Sequence, residues 1–457
     1  MDDVKPVDLQ EPLEELARDP KRFSHDLNFP PADKIRVYDD TLRDGEQMPG
    51  VAITPKNKYE LARMLSDIGV HVMDVGFPSV SEGERETLRL VLEGRKRGEI
   101  RSDLEVVCMM RSTKGDIDAT MRVIDSLGYP RSEVTYFIFT SASNLHVKYK
   151  LGKTLLHRDG IPESEWLELP VSYYREANLR MMCEAIRYAR DQGATSIEFG
   201  GEDGSRADVD YIGEIHREGL KAGGTRPSTP DTVGCYSPFA VREYIPAIKA
   251  AAPDAPLVVH FHNDLGLGAW NTVMALGSGA EVFTTSVNGI GERTGNAAMH
   301  QVLLQLRYLF GIEIPGFRYD KLRALARRLE RISGVPVQPT EPAIGLNVFS
   351  HESGIHTAGM LIHPAIYQFI PPSDLGAEIT YVYGKHSGAL VIEHALRQAG
   401  IRPESELVAK VLAEVKRIRE ERAERGGDGF YRQYYDHLTR MGLTAGEVVD
   451  IARALIA

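Results

Sequence analysis

Two histidines one residue apart, His260 and His262 in VVHFHND (258–264), carry the most pointed chemistry in this sequence. On a strand, positions i and i+2 share a face, so both imidazoles project the same way and suit one divalent cation. Asp44, in DDTLRDGEQMPG (39–50), offers a carboxylate to the same ion. Two imidazoles and one carboxylate leave coordination positions open, which is a catalytic arrangement and not a closed structural one. Mg, Mn, Zn and Co all accept such a mixed set. Arg43 beside Asp44 would put a guanidinium next to the metal, able to hold a ketone oxygen or a carboxylate. A third run, NGIGERTGNA (288–297), carries glycines 289, 291 and 295, which permit close backbone approach ahead of a helix. Asn288, Gly289, Gly291, Glu292 and Gly295 are therefore the candidate cofactor-binding residues, for a phosphate or a carbonyl.

These motifs need elements to bring them together. From Ile35 onward, short β-branched runs alternate with longer amphipathic stretches. Strands are expected at 35–38, 71–76, 104–110, 133–139, 196–199, weakly at 226–229, then 256–262 and 282–287. Helical patterns such as 56–68, 174–192 and 238–251 lie between them. Eight strands alternating with helices over roughly 250 residues predict an α/β chain built on a (β/α)8 TIM barrel. No GxGxxG follows the first strand, which weakens a doubly wound open sheet. Asp44, Glu198, Glu202, His260, His262, Asn288 and Glu292 all fall at or just after C-terminal strand ends, where barrels carry their chemistry. In a closed barrel the seventh and first strands are separated only by the eighth, so Asp44, His260 and His262 can converge. The expected organisation is an N-terminal arm (1–33), the barrel (34–315), a helix and Pro-rich linker (316–345), a small α/β subdomain (346–400) and a helical C-terminal subdomain (401–457).

Composition narrows the function classes. The chain has 457 residues, 42% of them hydrophobic and 26% charged, with a net charge of −11. That is ordinary globular composition, and an acidic chain without a basic run is a poor partner for nucleic acid or an anionic membrane. The three cysteines, Cys108, Cys183 and Cys235, show no paired spacing, which fits a reducing cytoplasm. No signal peptide is read at the N-terminus, and no apolar run is long enough to span a bilayer.

With these motifs in order, the chain resembles the 2-isopropylmalate synthase and homocitrate synthase family. DTLRDGEQMPG is similar to its first signature, and HFHNDLGLGAWN with NGIGERTGNAA to its second. SNLHVKYKLGKT (143–154), IEFGGEDGSR (197–206), PDTVGCYSP (230–238), SGIHTAG (353–359) and YGKHSG (383–388) resemble further blocks. The resemblance implies a metal-dependent acyltransferase that condenses acetyl-CoA with a 2-oxo acid and then hydrolyses the thioester. It implies Asp44, His260 and His262 as metal ligands, with Asn296 as a fourth. Arg43 would contact the 2-oxo acid, with Gln47 of the same motif and Thr232 also at the substrate. Glu202, His356 and Tyr367 would form the acid/base group, the last two reaching the site from the partner subunit of a homodimer with shared active sites.

Departures from the family bear on the substrate. Glu198 stands where homocitrate synthases carry an arginine for the distal carboxylate of 2-oxoglutarate. Gly200-Gly201 replaces a Ser-Pro pair, Asp74 stands where Glu is common, and residues 155–170 form an insertion. With Gly200 offering a backbone donor and Arg111 able to pair with an anion, the sequence favours a 2-oxo acid bearing a second polar or anionic group. Phosphonopyruvate, oxaloacetate and 2-oxoglutarate are examples. The alternatives are a true 2-isopropylmalate synthase using 2-oxoisovalerate and a hydroxyacyl-CoA lyase on the same barrel. The lyases use a cysteine in the glycine loop, and residues 288–297 contain none.

Overall fold

A computed structural model describes residues 8–17, 19, 21 and 27–424, with isolated positions beyond. The chain divides into two compact units, Phe23–Arg318 with Leu325–Gly334, and Met1–Arg22 with Tyr319–Ala324 and Val335–Ala457.

In the first unit the strands are β1 Arg36–Asp39, β2 Val72–Asp74, β3 Glu105–Arg111, β4 Val134–Ser141, β5 Ser196–Glu202, β6 Arg226–Asp231, β7 Val258–Phe261 and β8 Val282–Thr285. They form a closed, wholly parallel barrel in sequence order. Closure comes from β1 pairing with β8, with Asp39 in register with Thr285. The principal crossover helices are α1 Pro55–Ile68, α2 Glu82–Lys96, α3 Lys114–Ser126, α4 Val171–Asp191, α5 Val209–Ala222, α6 Pro238–Lys249, α7 Gly268–Leu276 and α8 Met299–Phe310. Local sequence explains their starts. Thr54, Ser81, Thr113, Asp208 and Ser237 each cap a helix by accepting from a backbone N–H of its first turn. Inside the barrel, Tyr38, Val72, Val107, Val258 and Val282 pack as one buried cluster against Phe137, so the interior is filled below the mouth.

The eight expected strands are all present, and β6 is longer than its weak sequence signal. It reads RPSTPD, with two prolines and no β-branched run, and pairing on both sides holds it as a strand. The end of the expected arm belongs to the barrel unit. Asn28 N–H donates to the Gly277 carbonyl at 2.9 Å, and Phe29 meets Phe310 with ring centroids 4.8 Å apart. The helix expected after the barrel is α9, Leu322–Ser333, whose residues from Leu325 belong to the barrel unit.

In the second unit, Ser350–His351 pairs in parallel with Thr380–Tyr381, beside α10 Gly354–Ile362, α11 Ala389–Gln398 and α12 Ser405–Glu424. The helical reading of 425–457 lies outside the described residues apart from isolated positions. No helix among the described residues is long and apolar enough to cross a membrane.

Candidate active site

The turn after β1 and the end of β7 build the centre of the barrel mouth. Asp44, His260 and His262 are buried, and one ligand atom from each lies within 4.8 Å of the others. His260 Nε2 is 3.1 Å from His262 Nε2 and 3.3 Å from Asp44 Oδ2. His262 Nε2 is 4.0 Å from the same oxygen. Donors about 2.1 Å from a common ion stand roughly 3.0–3.4 Å apart along the edges of its coordination polyhedron, so two of the three separations fit directly and the third is slightly wide. The donor set is right for a divalent cation: one carboxylate and two imidazoles. Burial opposes charge on Asp44, but Arg43 and the two rings hold its carboxyl below the ordinary range. Burial and the neighbouring His260 hold His262 down to about 3, which keeps the ring neutral and able to ligate.

A residue the motif reading passed over sets the orientation. Asp40 is fully buried, and its Oδ2 lies 3.1 Å from His260 Nδ1, which is also 2.7 Å from Thr284 Oγ1. A carboxylate that accepts from Nδ1–H would leave Nε2 to a cation shared with Asp44. Asn296 Nδ2 donates to both Asp40 oxygens at 3.3 Å. A backbone bridge to His262 ties Asn296 to the end of β7.

The glycine loop explains itself differently from expectation. A Cβ on Gly291 would stand 2.6 Å from Asn296 Oδ1, so the space opened by this glycine is taken by the Asn296 side chain and not by a ligand. Gly289 and Gly295 have φ of +69° and +90°, conformations that favour glycine. Asn288 turns to α9, donating to the Ala326 carbonyl at 3.0 Å. Of the five candidate cofactor residues only Glu292 lines the cavity at the mouth.

That cavity holds about 370 Å³. Arg43, Asp44, Gln47, His260 and His262 line it on the side of β1 and β7. Arg43 is partly buried, its Nε held at 2.7 Å by Asp74 and its Nη1 3.1 Å from Asp44. Burial pushes Asp74 up to about 6, with Arg43 pulling against it. Glu202 and Thr232 stand at the ends of β5 and β6. Thr232 Oγ1 accepts from Asp203 N–H at 2.8 Å.

The remaining walls correct the expected specificity groups. Arg111 is not among the cavity-lining residues, because Asp116 takes its guanidinium in two bonds of 2.8 Å. Glu198 does line the cavity, but it is neutralised from behind. Arg226 bridges it at 2.7 Å and Glu105 at 2.8 Å. Burial pushes Glu198 up to about 7 even so. Gly200 lines the cavity as expected and is also needed for strand packing. A Cβ there would collide with the Ser228 carbonyl of β6, and the residue sits in register with both Phe139 and Ser228. Opposite the metal ligands, Phe77, Met109, Phe137 and Phe139 supply an apolar wall. Lys150 and Arg293, neither singled out by a spacing rule, also reach the cavity. Arg293 is held by Asp264 through two bonds of 2.8 Å.

His356 and Tyr367 belong to the second unit. Their rings stack with centroids 4.2 Å apart and planes inclined at 26°, and both side chains are exposed.

Comparison with known proteins decides the family. The HMGL-like family model matches residues 34–158 and 161–327. The chain belongs to the HMGL-like family. A second model, described as the homocitrate synthase post-HMGL domain-like region, matches residues 343–423. The homocitrate synthase AksA of Methanopyrus kandleri is 36% identical over 85% of this chain and 89% of its own length. A probable 2-isopropylmalate synthase of Ignicoccus hospitalis is 36% identical over 87% and 90%. A putative (R)-citramalate synthase CimA of Methanopyrus kandleri is 37% identical over 85% and 69%. Among solved structures, the HMG-CoA lyase of Bacillus subtilis shares the fold, with a TM-score of 0.51, 19% identity and coverage of 70% of this chain and 98% of that one. The HMGL-like chain is thus an acyl-transferring condensing enzyme of the synthase group.

Proposed function

We propose that this enzyme condenses acetyl-CoA with a 2-oxo acid and hydrolyses the resulting thioester to a 2-substituted malate. The observation that carries the reading is the convergence of Asp44, His260 and His262 beside Arg43 in one cavity. A divalent cation bound by Asp44, His260 and His262 supplies Lewis-acid polarisation of the ketone. Arg43, fixed by Asp74, directs a guanidinium at the oxygen that becomes the alkoxide. A base takes a proton from the acetyl methyl group, and the methyl carbon forms a bond to the ketone carbon. His356 is the base in this reading, tuned by Glu202, with Tyr367 relaying the proton that ends on the tertiary hydroxyl. Water then cleaves the thioester, releasing the CoA thiol and a carboxylate.

The stacked, exposed His356–Tyr367 pair supports a homodimer in which each barrel receives it from the partner. Large apolar side chains left exposed on the segments that follow β2, β4, β6 and β7, among them Val80, Leu145, Phe239 and Leu265, support a covered mouth. So does the exposed Ile355 beside His356.

The walls favour a compact alkyl substituent on the 2-oxo acid. Arg111 is spent on Asp116, Arg226 is spent on two glutamates, and the wall facing the metal ligands is Phe77, Met109, Phe137 and Phe139. Lys150 and Arg293 also line the cavity, but each is paired with a carboxylate, Glu202 and Asp264, so a distal anion would have to compete for either one. Thiol release with pyruvate, 2-oxoisovalerate, oxaloacetate, 2-oxoglutarate and phosphonopyruvate tests both levels. Rate with none of them, in the presence of divalent metal, defeats the condensation reading. A preference in kcat/KM for a dianionic acid defeats the alkyl reading alone. His262→Ala removes metal and rate together with the barrel intact.

A further inference from the structure

Glu202 has a partner to which the motif reading gives no role. Lys150 forms an ion pair with Glu202 at the rim of the cavity, although nearly half of the lysine side chain, 46%, is solvent-exposed. An exposed pair of this kind is normally worth little, because a long side chain gives up much rotamer freedom to stay in place. Here the backbone brings the lysine to its partner. Residues His146–Lys150 form a single π-type turn, closed by Leu151 N–H donating to the His146 carbonyl at 2.9 Å. Such turns are uncommon and cluster at functional sites.

Both ends of the turn are tied down. At its start, Ser143 Oγ accepts from His146 N–H at 3.1 Å and donates to Asp203, the residue after Glu202. At its end the insertion takes over. Trp166 Nε1 donates to the Lys148 carbonyl at 2.6 Å. Lys148 Nζ reaches back to the carbonyls of Leu167 and Leu169 at 3.1 and 3.0 Å. Gly152 makes room for the indole, since a Cβ there would strike it. The insertion is itself anchored on α4, where Tyr173 and Arg180 donate to Asp159 at 2.8 and 2.6 Å.

We propose that Lys150 is a positioning residue for Glu202, and that the 155–170 insertion, through Trp166, braces the turn that keeps Lys150 there. This rests on Glu202 serving in the acid/base group. The lysine acts through the carboxylate, fixing its direction. The insertion then has a function: it stiffens a rim segment that would otherwise present a mobile lysine.

The test is a set of full-length variants assayed by thiol release. Misplacing a reacting group by about 1 Å costs on the order of 100-fold, so Lys150→Met should lower kcat by roughly that factor. KM for the 2-oxo acid and for acetyl-CoA should stay near wild type. Lys150→Arg keeps the charge and should recover most of the loss. Trp166→Phe keeps the packing but loses the bond to Lys148, and should lower kcat partially with the same split. If the brace works through Lys150, the double variant Trp166→Phe/Lys150→Met is no slower than Lys150→Met alone. A kcat for Lys150→Met within about twofold of wild type overturns the proposal. So does a loss confined to KM for acetyl-CoA, which would make Lys150 a thioester contact, and so do losses that multiply in the double variant. Glu202→Gln separates the two levels. Full rate in Glu202→Gln defeats the role given to Glu202, whereas a slow Glu202→Gln beside a fast Lys150→Met defeats the positioning proposal only.

Discussion

Replacing Asp40 by Asn should weaken divalent-metal binding without touching a metal ligand. In the wild type, His260 Nδ1–H has an ionised acceptor, Asp40 Oδ2, at 3.1 Å and a hydroxyl, Thr284 Oγ1, at 2.7 Å. The carboxylate fixes the tautomer that leaves Nε2 free, and it makes the ring a better donor to a cation. A hydrogen bond to a charged group nets about 1.5–3 kcal/mol, which is roughly a 10- to 150-fold change in Kd. Outer-shell partners of metal-bound histidines typically cost 10–100-fold when removed, so the two routes to the magnitude agree. Titration of metal-free protein with Mn or Zn by calorimetry reads the Kd directly, and circular dichroism checks that the barrel is retained. A Kd within about twofold of wild type would refute the idea that Asp40 orients His260. So would Asp40→Asn protein in which kcat falls and metal affinity does not.

Gly291→Ala should displace Asn296, because the new Cβ would sit 2.6 Å from Asn296 Oδ1; a cost of about 1–3 kcal/mol in denaturant-measured stability is expected, with weakened metal retention. Glu198 is held up to about 7 from an ordinary 4.5 by burial, so its ionisation opposes the folded state above that range and has no effect below it. Relative to wild type, Glu198→Gln should therefore gain stability as pH rises from about 4.5 to 7, by up to about 3 kcal/mol, read by urea unfolding at pH 5 and pH 8; a pH-independent difference would contradict the assignment. Mixing inactive Asp44→Ala and His356→Ala chains should restore about a quarter of wild-type activity, since half of randomly re-paired dimers are mixed and each then has one intact site. Confirmed exchange with no recovery would exclude shared active sites.

The sequence by itself determined the barrel. Eight strand-like runs alternating with amphipathic helices are a local, periodic signal, and closure follows once strands of that number must all bury both faces. It also made the convergence of Asp44, His260 and His262 legible, because the two histidines lie two positions apart at the end of one strand and Asp44 follows the first strand closely. The second-layer partners were not legible, since they are set by packing across the chain. Asp40 acts on His260 more than 200 positions away, and Arg226 cancels Glu198 through a bridge to Glu105; Asp116, though only five positions on, withdraws Arg111 because the turn into α3 brings them together. Gly291 reads as room for a ligand, yet Asn296 takes that space, and Gly200, which does line the cavity, also makes room for the Ser228 carbonyl. Lys150 lies in a motif block, but its role was not legible there, because its place depends on an irregular turn and an insertion folded back on it. Which polar side chain faces a ligand and which is spent on a neighbour is decided by close packing in three dimensions. Periodicity along the chain carries no record of it.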